Sequence, residues 1–275
     1  MLEIPEAAVM ARQLNKTISQ KNIRYVIAAH NPHGFAWYSC DPASYSDMLL
    51  GKTVGTAVNL GGMLNIQVED VSLLFADGVN LRFHPDPAEQ PSKHQLLIEF
   101  EDATSLSASV AMYGGLWCFP EGSNDNPYYL GARDKPSPLS NGFNEDYFFG
   151  LFQPELENLL LKAFLATQQR IPGLGNGVLQ DILYQARLHP KRNVASLGQE
   201  ARCELFQAVK TTLREMTDHG GRDTEKDLYG NMGGYLTQVS KNTVGKTCPC
   251  CGATLQKQAY MGGSIYFCPG CQKEN

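Results

Sequence analysis

Ile4, Ala7, Ala8, Ala11, Leu14 and Ile18 recur at the three-and-four spacing of one helical face. Proline is tolerated in a first turn, so with Pro5 in place residues 5–21 are predicted to form an amphipathic helix. From Tyr25 to about Phe119 the pattern changes to short runs rich in Val, Leu, Ile and aromatics. Asn31-Pro32, Gly61-Gly62, Asp77-Gly78 and His84-Pro85-Asp86-Pro87 break those runs as turns would, which predicts β-strands in a sandwich or flattened barrel. A linker rich in Pro, Gly, Asn and Asp is expected from Pro120 to Pro138. Helical periodicity returns over 144–218, with Leu156, Leu159, Leu160, Phe164 and Leu165 on one stripe and Leu205, Ala208, Val209, Thr212 and Leu213 on another. The expected fold is therefore α+β: a sandwich over 1–136, a helical domain over 137–240 and a small C-terminal module over 241–275.

A chain of 275 residues, 43% hydrophobic and 19% charged, is long enough for two packed domains. No apolar run approaches the ~20 residues of a membrane span, and no repeat is visible. The net charge of −5 hides an asymmetry: residues 1–150 carry 9 Lys+Arg against 17 Asp+Glu (−8), and residues 151–275 carry 14 against 11 (+3). A polyanion would be gripped mainly by the C-terminal half, with modest and salt-dependent affinity.

The C-terminal module holds Cys248-Pro249-Cys250-Cys251 and Cys268-Pro269-Gly270-Cys271. Two Cys-x-x-Cys knuckles let four thiolates reach one ion, so Cys248, Cys251, Cys268 and Cys271 are expected to hold a single structural zinc, with Cys250 as bystander. Four sulfurs leave no open position, so such an ion folds a hairpin and does not activate water. The chain opens on Met1-Leu2-Glu3 without a basic and then apolar segment, which leads us to expect reduced thiols and a cytoplasmic location, nucleoid-associated if bacterial. Cys40, Cys118 and Cys203 are isolated, and the six histidines suggest no ligand set. Between the helical stripes, Ile171-Pro172-Gly173-Leu174-Gly175-Asn176 is too rich in glycine for a helix interior. It reads either as a plain connection or as a turn that aims free N–H groups and a helix N-terminus at a phosphate.

These residues resemble one family. Met1-Leu2-Glu3-Ile4-Pro5-Glu6 is similar to the M-P-E-L-P-E start of the formamidopyrimidine-DNA glycosylase and endonuclease VIII family. The Ile171–Asn176 turn, followed by Asp181, Leu183, Ala186, Leu188, His189, Pro190 and Arg192, resembles its helix-two-turn-helix signature. Gly234-Tyr235 leading into the knuckles, closed by Cys271-Gln272, resembles its zinc hairpin. The resemblance implies a capped β-sandwich, a helical domain and a zinc finger, with duplex DNA in the cleft between the halves. It also implies phosphate contacts from Asn176, the adjacent Gly175 and Tyr235, and an acid role for Glu3 beside Glu6.

Four positions depart from the family pattern. Family members attack the sugar with the amine of an N-terminal proline, where this chain has Leu2, and methionine removal generally needs a small second residue. The phosphate-binding lysine falls at Gly62, the hairpin arginine at Gly263, and the intercalating R-F pair at Met112-Tyr113. The expected function is a DNA-binding relative of the base-excision-repair glycosylases, monomeric and unattached to membranes, that binds duplex or damaged DNA with a degenerate active site. One alternative is a divergent glycosylase or abasic-site lyase using the Met1 amine or Glu3. Another is a module repurposed to bind RNA or a protein, which the acidic N-terminal half favours. Lys191, Arg192, Lys241 and Lys246 are candidates for further backbone contacts, set against ordinary solvated charge.

Overall fold

The computed structural model describes residues 2–274. Helix α1 runs from Ile4 to Thr17, shorter than expected because Ile18 caps it and Gln20 turns the chain in the left-handed region. Ala7, Met10, Ala11, Leu14 and Ile18 face the sandwich core, whereas Ile4, at the helix start, is buried in the core of the helical domain. One amphipathic helix thus contributes to both cores, which is why the two halves meet at its N-terminus.

The strands are β1 (Ile23–Ala28), β2 (Ala36–Tyr38), β3 (Val54–Leu60), β4 (Met63–Val68), β5 (Val71–His84), β6 (Leu96–Phe100) and β7 (Ser105–Pro120), with helix α2 (Ser44–Leu49) between β2 and β3. They form one sheet in the order β1-β6-β7-β5-β4-β3, and β2 pairs in parallel with β7. The ends of that path meet, because Asn22 bridges Thr53 and the Ile23 amide donates to Lys52 O. Closure buries Ile23 and Val26 of β1 with Val54 and Ala57 of β3 in one core, the expected sandwich.

Two expectations are corrected. Asp77-Gly78 is not a turn between short strands: β5 continues through it, and its pairing with β7 shifts register between Asp77 and Val79, with Asp77 at φ 56°. An asparagine or aspartate tolerates that conformation, so the pattern of a hairpin turn here marks a bend inside a long strand. The linker is partly helical as well. Asn126 caps α3 (Pro127–Asp134) by accepting from the Tyr128 and Tyr129 amides, and Tyr129 and Ala132 then cover the sheet face formed by Leu74, Ala76 and Phe119.

In the helical domain, α4 (Glu145–Phe149), α5 (Leu161–Ala166), α6 (Asn176–Gln185) and α7 (Gln199–Asp218) pack around Phe143, Phe148, Phe164 and Phe206. The α7 stripe is buried as expected. The first stripe is not a single helix, since Leu156 ends a short 3-10 turn and Leu160 precedes α5. After α7 the chain returns to the first domain, where Leu228 is fully buried in the sandwich core and its carbonyl accepts from the Phe83 amide. Strands β8 (Gln256–Tyr260) and β9 (Gly263–Phe267) close the chain as a hairpin whose turn residues Met261 and Gly262 both have positive φ, the twist a two-residue hairpin favours.

Candidate functional site

The N-terminus, the turn before α6 and the loop after α7 converge. Leu2 donates its amide to Asp77 O at 3.2 Å and buries its side chain in the sandwich core, and Ile4 donates to Gly173 O at 3.1 Å. Gly173 lies at φ +79°, and a Cβ there would collide with the Gly62 amide, so only glycine permits this contact. Gly62, the position matching the family lysine, is therefore inside the junction, packed on the backbone of Leu2 and Gly173.

Glu3 is buried beside that contact. Its two carboxylate oxygens accept from the Gly177 amide at 2.9 Å and the Val178 amide at 2.7 Å, occupying the N-terminus of α6. Arg222 lies 3.4 Å from Glu3 and forks onto Glu6, with Nε and Nη2 donating at 2.9 and 2.8 Å. A Cβ on Gly177 would strike the guanidinium, so the glycine spacing of the turn is what admits the arginine. Burial raises the Glu3 carboxyl above its ordinary value against the pull of Arg222. Burial alone would lower Arg222, but the carboxylates of Glu3 and Glu6 outweigh it and hold the guanidinium charged. The crevice between Glu6, Val9 and Met10 on one side and Gly220, Gly221 and 225–227 on the other has no room for a water molecule. Both Glu3 oxygens thus have partners within the junction. Met1, whose amine is the alternative nucleophile, lies outside the described residues.

On the other side of α6, Asn176 donates from Nδ2 to Ser264 O at 3.0 Å, and Gln180 accepts from the Tyr266 amide at 3.0 Å, so the hairpin is fastened to this helix. Gly263, the position matching the family arginine, faces this point: a Cβ there would lie 3.7 Å from Lys162 Nζ and 4.0 Å from Asn176 Nδ2. Lys162 is 5% exposed and donates to Tyr260 O at 2.7 Å. Desolvation lowers its ammonium below the usual lysine range. Lys191 Nζ sits 5.2 Å from the Tyr260 ring centre and Lys162 Nζ 5.6 Å, so two cations flank one exposed hairpin turn. Tyr235 is buried in the helical core, and Gly175 caps the start of α6. Arg192 donates to Ser196 Oγ, while Lys241 and Lys246 are exposed on the approach to the knuckles. Met112 and Tyr113 project from β7, 69% and 36% exposed.

The Sγ atoms of Cys248, Cys251, Cys268 and Cys271 all lie within 4.8 Å of one another. Cys248 and Cys271 are 3.8 Å apart and Cys251 and Cys268 3.3 Å, close to the ~3.8 Å edge of a tetrahedron with ~2.3 Å metal–sulfur bonds. Four thiols in that arrangement fit one metal ion. Cys250 stands outside the group, exposed, and its Sγ receives the Tyr184 hydroxyl at 3.3 Å.

Sequence reasoning missed Arg222 and Lys162. A lone arginine after Gly220-Gly221 and a lysine within an apolar helix carry no spacing that marks them. Only the approach of segments 174–216 residues apart assembles the cluster around Glu3 and Arg222.

Comparison with known proteins agrees with this architecture. Residues 135–227 match the family model of the formamidopyrimidine-DNA glycosylase H2TH domain. The formamidopyrimidine-DNA glycosylase of Cytobacillus firmus is 27% identical over 284 residues, covering 99% of this chain and all of the relative. That of Bacillus anthracis is 28% identical over 281 residues, covering 99% of both. Among solved structures, the MutM (Fpg) protein of Thermus thermophilus superposes with a TM-score of 0.82 at 26% identity, covering 99% of each chain. The Lactococcus lactis Fpg in complex with abasic-site DNA has the same fold, with a TM-score of 0.84 at 24% identity over 98% of this chain and 99% of the other. The chain is thus similar over nearly its whole length to formamidopyrimidine-DNA glycosylases, and its residues 135–227 match their H2TH domain.

Replacing Arg222 with methionine leaves two buried carboxylates facing each other without a cation. We expect a loss of about 3–5 kcal/mol in chemical denaturation. A variant within ~0.5 kcal/mol of the native chain would show that the triad does not hold the junction.

Proposed function

We propose that this protein binds duplex DNA, damaged or intact, through the seam between α6 and the hairpin, and that it has lost the proline-amine glycosylase and lyase chemistry of its family. The observation that carries the reading is the state of Leu2. At the position of the family nucleophile stands a backbone amide hydrogen-bonded to Asp77 O, with its side chain in the sandwich core. Glu3 supports the same conclusion, because its oxygens are engaged by α6 and its charge by Arg222. Loss of a positioned nucleophile removes several orders of magnitude in rate, and glycine in place of a cation at positions 62 and 263 further relaxes the grip on the sugar–phosphate.

The DNA reading draws on the relatives, since those named from Cytobacillus firmus and Bacillus anthracis are formamidopyrimidine-DNA glycosylases. In this chain Lys162, Lys191 and Asn176 gather beside the Tyr260 turn, in the half with the positive excess. Lys162 stands where a side chain at Gly263 would otherwise reach, so a lysine from α5 takes over the position of the missing hairpin arginine. The four-cysteine cluster holds one zinc ion in this reading. Cys248, Cys251, Cys268 and Cys271 supply its ligands, and its part is to fix β8 and β9 against α6.

Three outcomes are expected. Removal of the metal by a strong chelator, or Cys268→Ser, unfolds the hairpin and weakens DNA binding together; metal analysis without zinc, or an unchanged Cys268→Ser protein, contradicts the assignment. In gel shift, duplex binding at low salt falls steeply as salt rises, and Lys191→Ala lowers the slope of log K against log salt by about 1 irrespective of sequence. Binding insensitive to salt, or RNA competing far better than DNA, sinks the DNA reading. Finally, borohydride traps no adduct on duplexes with an oxidised purine, an oxidised pyrimidine or an abasic site, and Leu2→Pro with methionine removed restores little. Robust trapping that disappears when the α-amine of Met1 is blocked would establish a working enzyme instead.

A further inference from the structure

Among the described residues, one buried imidazole nitrogen has no hydrogen-bond partner: Nε2 of His94, a residue only 5% exposed. His94 ends the connection from β5 to β6. Its Nδ1 lies 3.1 Å from Pro91 O. A carbonyl oxygen only accepts, so the proton of the neutral ring sits on Nδ1 and Nε2 is left a bare acceptor. The ring stacks on His30, which is exposed in the connection from β1 to β2, with centroids 4.7 Å apart and planes inclined by 11°. Backbone contacts join the same two connections. Asn31 Oδ1 accepts from the His94 amide at 2.9 Å, the Asn31 amide donates to His94 O at 3.2 Å, and Gln95 Nε2 donates to Asn31 O at 3.0 Å. Ala29, at φ 54°, donates its amide to Gln95 O at 2.7 Å. Residues 29–35 then lead into β2, which pairs with β7 where the Gly114 amide donates to Phe35 O.

Such a junction resists protonation. A proton on Nε2 makes a cation that is out of water, has no acceptor in reach and lies face to face with a second ring that titrates in the same range. His30 is the titratable group against the His94 ring. Around it, Tyr38 of β2 donates its hydroxyl to Gln95 O, His33 accepts the Phe35 amide within its own loop, and Lys93 is exposed. No carboxylate forms an ion pair with His94 among the described residues. Burial lowers its imidazole below the ordinary 6.5, the bond to Pro91 O pulls the other way, and His30 adds to the lowering. His84, at the start of the same connection, is the contrast. Its Nε2 lies 2.8 Å from Ser107 Oγ, and the Glu89 carboxylate is near enough to act on it against Arg82, so a proton taken up there finds an acceptor and a counter-charge.

We propose that the stacked pair of His30 and His94 is an acid-released latch between the β1–β2 and β5–β6 connections, so that acidification frees residues 29–35 and 85–95 while the sheet stays intact. Because the fold accepts the neutral ring, the latch is at full strength above the ordinary value of 6.5 and weakens as pH falls below it. For one such group, opening rises about tenfold between pH 7.5 and pH 5.5. Trp37 of β2 packs on Tyr113 with ring centres 5.8 Å apart, so release also loosens the surface beside Met112. Hydrogen exchange read by mass spectrometry on the full chain at the two pH values, corrected for the intrinsic rate, tests the latch. The expected result is about tenfold faster exchange at the lower pH, confined to peptides that cover 29–35 and 85–95. His94→Phe, which keeps a flat ring without a titrating nitrogen, should abolish that response. Equal exchange at both pH values, acceleration spread across β3 to β5, or a response that His94→Phe leaves intact would overturn the proposal. If that variant does not fold, histidine ring resonances followed by NMR in the native chain decide: His94 titrates below 6.5, and a midpoint at or above it overturns the latch.

Discussion

The cluster of Glu3, Arg222 and Glu6 is the interaction on which the arrangement of the two halves depends. Three charges nearly removed from water would be costly apart, and removing one partner from such a set costs several kcal/mol. Here one guanidinium serves both carboxylates, and two amides at the start of α6 satisfy Glu3 further. The groups come from the beginning of α1, the turn into α6 and the loop after α7, so satisfying the charges fixes three distant segments at once. With that point held, Gly173 can seat on Gly62, and Ile4 can enter the helical core while the rest of α1 stays in the sandwich.

The same arrangement engages both oxygens of Glu3 and the N-terminus of α6. On the hairpin side of α6, Asn176 and Lys162 donate to the carbonyls of Ser264 and Tyr260, and Lys191 lies beside the Tyr260 ring. Fastening of the hairpin through Asn176 and Gln180 in turn makes the four-cysteine cluster part of that surface.

Legibility varied with the range of the interactions involved. The cysteine knuckles were readable because two-residue gaps bring sulfurs together whatever the rest of the chain does. Helices α1 and α7 were readable because their burial follows a period that the sequence displays. The Asp77-Gly78 pair misled, since a residue tolerant of positive φ serves a strand bend as well as a turn, and only pairing with β7 selects between them. Helix α3 was hidden because its stability comes from the Asn126 cap and from the sheet face it covers rather than from its own apolar period.

Local spacing and periodicity thus determined the α+β class, the cysteine knuckles and the glycine turn before α6, while the resemblance of the first residues marked the leucine at the position of the family proline. Tertiary structure alone decided that the Glu3 oxygens meet the start of α6, that Arg222 is the partner of Glu3 and Glu6, and that Lys162 lies beside Gly263. Each of those depends on contacts between separate segments of the chain, whose geometry is set by the closing of the sheet and the packing of α1 into two cores. Residue type alone cannot encode which distant partner a buried charge will meet; the lowest-cost way of satisfying all of them together does.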